Sequence, residues 1–79
     1  MKIIVNKYEP QYVIKFIRQA TGLTQREFGN RIGKSRNTIQ SYELGRIKMS
    51  FNDFINVCKI FNITVTIEEV KNGLYVHNK

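Results

Sequence analysis

The sequence contains one cysteine, one histidine, one proline and no tryptophan. A single thiol, Cys58, excludes an intramolecular disulfide. One cysteine and one histidine cannot fill a protein zinc site, so no metal or other cofactor is expected. No stretch is long and apolar enough to span a membrane. The apolar run at residues 3–5 is too short for a signal peptide. Together these absences point to a reducing cytoplasm and to no membrane partner. Linker-like, repetitive and low-complexity stretches are also missing. The 79 residues therefore read as a single domain spanning 1–79. A core this small is marginal, and self-association would help to stabilise it.

Catalytic constellations are missing as well. There is no phosphate-cradling Gly-rich loop and no nucleophile motif. Cys58 has no identifiable catalytic partner and reads as a buried helix residue. Glu68 and Glu69 are adjacent, and in a strand they would point to opposite faces. His77 stands alone and is expected to be exposed. Neither enzymatic activity nor a small-molecule substrate is expected.

Acidic residues are scarce. Six Asp and Glu face thirteen Lys and Arg, which gives a net charge of +7 and a pI near 9.9. Such a chain is drawn to polyanions. The charge is also concentrated. Residues 24–48 hold six basic side chains (Arg26, Arg31, Lys34, Arg36, Arg46, Lys48) and two acidic ones (Glu27, Glu43), or four of the seven net charges.

The apolar spacing predicts four helices. Pro10 suits a first helical turn, Val13, Phe16, Ile17 and Ala20 follow at helical intervals, and Gly22 stops the helix. Thr24 and Glu27 form a capping box for a second helix that ends near Ile32, with Phe28 and Ile32 inward. Gly33 permits a sharp turn. Ser35 caps a third helix that runs to about Glu43, with Ile39 and Tyr42 inward, and Gly45 ends it. A fourth helix begins after Ser50 and is expected to bury Phe51, Phe54, Cys58 and Phe61. Residues 62–68 then alternate apolar and polar, as a half-buried strand does. Asn72-Gly73 signals a turn, and residues 74–76 could return as a second strand. The apolar phase slips between Ile67 and Val70, so a regular hairpin would need a bulge. Residues 2–5 are β-branched and could add a short N-terminal strand.

The helix pair at 24–45 carries the chemistry. Gly29 lets the third helix approach the second, at a cost of about 1 kcal/mol in helix propensity relative to Ala. The first turn of the third helix then faces outward with Ser35, Arg36, Asn37 and Thr38. Arg and Asn can form paired hydrogen bonds with base edges in the major groove, Arg with guanine and Asn with adenine.

The run Leu23-Thr24-Gln25-Arg26-Glu27-Phe28-Gly29-Asn30-Arg31-Ile32-Gly33-Lys34-Ser35-Arg36-Asn37-Thr38-Ile39-Gln40-Ser41-Tyr42-Glu43-Leu44-Gly45-Arg46 resembles the phage repressor/Cro family of XRE-type helix-turn-helix regulators. The resemblance covers roughly residues 10–65. It implies a mostly α fold, a lambda repressor-like bundle of four helices. A small C-terminal β element, strand or hairpin, follows, with the N-terminal strand as a further candidate member. It implies that Arg36, Asn37, Gln40 and Ser41 lie at the bases. Gln25 and Arg46 would hold phosphates, and Lys34, Ser35, Thr38 and Lys48 would add backbone contacts. It also implies an ion pair between Arg18 and Glu43 that pins the third helix to the first. Gly29 departs from the family, which usually carries Ala there.

Residues 51–68 are similar to the antitoxin half of Hip-type toxin–antitoxin pairs, whose toxin is kinase-like. That likeness implies a helical DNA-binding core at 10–61 and a β dimerisation segment at 62–79, with Ile63, Val65 and Ile67 in the dimer interface. The expected function is a sequence-specific double-stranded DNA-binding regulator, a homodimer that represses by occluding a promoter. The alternative is an antitoxin that binds a toxin protein and autoregulates its operon. RNA binding is disfavoured by the lack of an aromatic stacking face.

Overall fold

Pro10 opens α1 (Pro10–Thr21), and Gly22 closes it in the left-handed region at φ 72°. The N–H groups of Gly22 and Leu23 turn back onto the carbonyls of Gln19 and Arg18 at 3.1 and 3.3 Å. This satisfies acceptors that the helix end would otherwise leave bare. Next come α2 (Gln25–Ile32), α3 (Arg36–Glu43) and α4 (Phe51–Ile60). Three strands complete the chain: β1 (Lys2–Val5), β2 (Thr64–Glu69) and β3 (Leu74–Asn78). These elements come from a computed structural model, which describes residues 1–5, 7–69 and 74–78, with side chains up to Thr66. The chain is mostly α, with four helices and short strands, as a small helix-turn-helix fold requires.

Two compact units are distinguished. One is Glu9–Ser50; the other joins Met1–Tyr8 to Phe51–Lys79. The division falls before α4.

In the first unit α3 packs on both α1 and α2. Its core comprises Val13, Ile14, Ile17, Phe28, Ile32, Ile39, Tyr42 and Met49. The inward face of α1 is rotated from the expected one. Phe16 is 55 % exposed and Ala20 is exposed, while Ile14 is fully buried. Four of the five residues from 13 to 17 are apolar, so spacing alone fits two overlapping stripes, and α3 selects the one containing Ile14.

In the second unit, the buried residues of α4 are Phe54, Val57 and Cys58. Phe51 remains 41 % exposed and Phe61 is half-buried, so the expected burial of both is corrected. Phe51 lies a turn ahead of the buried stripe, and the Tyr8 ring meets Phe51 and Phe54 edge-on at 5.4 Å each. After α4, Asn62 takes a left-handed φ of 54°. Asn tolerates this better than most residues, and it redirects the chain into β2.

The sheet has the order β1-β2-β3. β1 runs parallel to β2, from Lys2 opposite Thr64 to Val5 opposite Ile67. β3 is antiparallel, from Val65 opposite Asn78 to Glu69 opposite Leu74. Two expectations change here. The β2–β3 ladder is in continuous register, so no bulge is needed within it. Moreover, β2 is the central strand, and both its hydrogen-bonding edges are occupied within the chain. Ile63 and Val65 are buried, at 4 % and 0 % exposure. Both side chains contribute to the interior of the chain. The Ile67 and His77 side chains and the Asn72-Gly73 turn lie outside the described residues.

Candidate nucleic-acid interface

The interface is built from α2, the turn and α3, all within the Glu9–Ser50 unit. Thr24 Oγ1 accepts from the Glu27 N–H at 3.1 Å, and Glu27 Oε1 accepts from the Thr24 N–H at 2.9 Å. The hydrogen bond from the Thr24 backbone, with that involving its side chain, holds the Glu27 carboxyl below its ordinary pKa. This reciprocal cap fixes where α2 begins.

Gly33 closes α2 at φ 76°. Gly29 governs the approach of the next helix. A Cβ placed on Gly29 would collide with the Lys34 carbonyl oxygen and stand 3.3 Å from Ile39 Cγ1. The Gly29 carbonyl also accepts from the Lys34 N–H at 2.9 Å. The turn thus lies directly against the α2 backbone, with no space for a side chain at position 29.

Ser35 is the N-cap of α3. Its Oγ accepts from the Thr38 N–H at 3.2 Å and shares a hydrogen bond with Thr38 Oγ1 at 2.9 Å. Ile39 and Tyr42 are buried, which turns the opposite face outward. Arg36 and Asn37 are exposed, and Gln40 and Ser41 are half-buried. Spacings of one, four and five residues put these four side chains on one side of the helix. Lys34 and Thr38 are half-buried, while Ser35, Arg46 and Lys48 are exposed. The Ser41 carbonyl accepts from the Arg46 N–H at 2.9 Å, which curls the basic segment back along the end of α3.

One ion pair braces this arrangement. Arg18 Nε donates to Glu43 Oε2 at 2.6 Å, and Nη2 donates to Oε1 at 3.0 Å. Arg18 Nη1 donates to the Leu23 carbonyl at 3.1 Å. The side chains are 16 % and 5 % exposed. Gln25 Nε2 also donates to Glu43 Oε1, at 3.2 Å. Burial pushes the Glu43 carboxyl up, but the hydrogen bonds from Arg18 and Gln25 and the charges of Arg18 and Lys15 hold it below its ordinary value. The hydrogen bond to Glu43 raises the Arg18 guanidinium in turn.

Beside this pair lies an open groove of about 490 Å³, lined by Arg18, Thr24, Gln25, Arg26 and Arg36. The groove brings the start of α2 and the start of α3 together. Arg26 is the member to which the sequence assigned no contact; its basic side chain directly after Gln25 was the one available signal. Among the described residues, no group of His, Cys, Asp and Glu side chains could hold a metal ion. No helix is long and apolar enough to cross a membrane.

A helix-turn-helix family model matches residues 14–67. The chain belongs to this XRE/Cro-type helix-turn-helix family. The matched span runs from within α1 into β2 and so includes the entire candidate interface. No curated protein and no solved structure showed significant similarity to the chain. As an XRE-type helix-turn-helix protein it is a DNA-binding transcription regulator, and double-stranded DNA is its partner.

Proposed function

We propose that this regulator is a sequence-specific repressor that binds an inverted-repeat operator as a homodimer. The observation that carries the reading is the two-sidedness of α3. Ile39 and Tyr42 are buried, while Arg36 and Asn37 stand exposed in the first turn, directly after the Ser35 cap. Helix 3 of each subunit enters a major groove, where Arg36, Asn37, Gln40 and Ser41 read base edges. Gln25, Lys34, Ser35, Thr38, Arg46 and Lys48 hold the phosphates on either side and supply most of the affinity. The turn and the Arg18–Glu43 pair support this by fixing α3 against α1 and α2. Occupancy of the operator represses by covering the promoter.

The dimer contact moves away from β2, whose edges are taken. The outer strand β1 offers an open edge, and its Ile4 is 60 % exposed. An apolar open edge is a template for pairing with another chain. Sedimentation at micromolar concentration should give a dimer; a monomer would count against this arrangement. Selection of bound sites from random double-stranded DNA tests the whole reading. Two half-sites about one helical turn apart, roughly 34–36 Å, are expected. Failure to enrich any motif would overturn it.

A second reading, an antitoxin that neutralises a toxin protein and controls its own operon, is favoured by one surface. Tyr12 and Phe16, four residues apart on α1, are 67 % and 55 % exposed. Such an apolar pair suits a protein partner. A neighbouring gene encoding a kinase-like protein that co-purifies with this chain would support it, and the absence of such a gene would remove it.

A further inference from the structure

The groove beside the Arg18–Glu43 pair carries more positive charge than its geometry uses. Three guanidinium groups line it, those of Arg18, Arg26 and Arg36. That of Arg18 is committed: its three nitrogens donate to Glu43 and to the Leu23 carbonyl. The Glu43 carboxylate balances its charge. Arg26 and Arg36 differ. Both are exposed, and among the described residues neither has a carboxylate partner. Glu27, the acid next in sequence to Arg26, is occupied by the backbone N–H of Thr24. Two uncompensated cations lining one open groove repel each other, and an anion placed between or beside them relieves that repulsion.

We propose that Arg26 is a further DNA-contacting residue, which neutralises a backbone phosphate at the lip of the major groove that Arg36 enters. The inference rests on the DNA-binding reading above and adds a contact to it. Arg26 lies on α2, at the lip of the site and away from the base-facing side of α3. Its contribution is therefore to affinity on any sequence and to the salt dependence of binding. Neighbouring Gln25 gives one amide hydrogen to Glu43, so its carboxamide is held in place while the Arg26 side chain stays free to reach.

The test measures affinity for the selected operator and for a scrambled duplex across a series of salt concentrations. Proteins compared are the full chain, Arg26→Ala, Arg26→Lys and Lys59→Ala, the last removing an exposed charge on α4. Arg26→Ala should weaken both duplexes by the same factor. It should also flatten the slope of log K against log salt by about one. Arg26→Lys should restore most of that slope, and Lys59→Ala should leave it unchanged. An unaltered slope in Arg26→Ala would overturn the proposal, as would a loss confined to the operator. If the unsubstituted chain binds neither duplex, the DNA-binding reading itself fails, and that outcome is distinct from a failure at Arg26.

Discussion

Arg18, on the last turn of α1, holds the carboxylate of Glu43, the final residue of α3, through two hydrogen bonds across 25 positions of sequence. The pair ties the C-terminal end of the reading helix to the helix behind it. Removing Glu43 leaves a largely buried guanidinium without its counter-charge. Glu43→Ala should therefore cost about 3 kcal/mol, in the range for breaking a buried pair. A lower urea midpoint at constant slope would show this. Unchanged stability would assign the pair no structural role.

The same carboxylate makes stability depend on pH. Burial alone would raise its pKa, but the hydrogen bonds from Arg18 and Gln25 and the nearby positive charges outweigh burial and lower it. A depressed folded-state value means that the unfolded chain takes up a proton first as pH falls. The stabilisation is thus complete above the ordinary carboxylate value of about 4.3 and is lost as pH drops through the folded value. Melting temperature followed from pH 7 downward should fall more steeply for the native chain than for Glu43→Gln. Parallel curves would contradict the shift.

Gly29→Ala gives a test in which two effects oppose each other. Alanine favours a helix interior over glycine by about 1 kcal/mol. Here the added methyl would meet the Lys34 carbonyl oxygen, a backbone atom that cannot swing aside. Forced overpacking typically costs 1–3 kcal/mol. The expected outcome is net destabilisation with weakened DNA binding, because the turn must shift and carries Ser35 and Arg36 with it. A raised melting temperature would show that the turn yields easily.

Arg36→Ala and Lys34→Ala separate reading from holding. The first should cost about 1–3 kcal/mol on the operator and relax base preference at one position. The second should weaken operator and scrambled DNA alike. Identical behaviour would place α3 differently on the duplex.

The features that proved legible in the sequence are those set by neighbours. Thr24 and Glu27 are three residues apart, and Ser35 reaches only to Thr38, so the starts of α2 and α3 could be read directly. Gly33 needed only its place between two apolar patterns. The inward faces of α1 and α4 were less legible. Ile14 and Phe16 are equally apolar, as are Phe51 and Val57, and only partners distant in sequence decide which is covered. The central position of β2 was not legible at all, because the alternation of residues 62–68 is the same whether a strand has one neighbour or two. Arg26 passed as one charge among many until the fold set it in one groove with Arg36.

The parallel pairing of Lys2 with Thr64 also has a consequence for the order of folding. Closing a loop of about 60 residues costs about 2 kcal/mol more in chain entropy than closing the four-residue connection between β2 and β3. The antiparallel pair can therefore assemble locally, whereas β1 must join at the end. During synthesis β1 has no partner in β2 until residues 64–67 have been made. For that interval Ile3, Ile4 and Val5 lack their β2 partners, and the three helices of the Glu9–Ser50 unit are made before the sheet of the other unit exists.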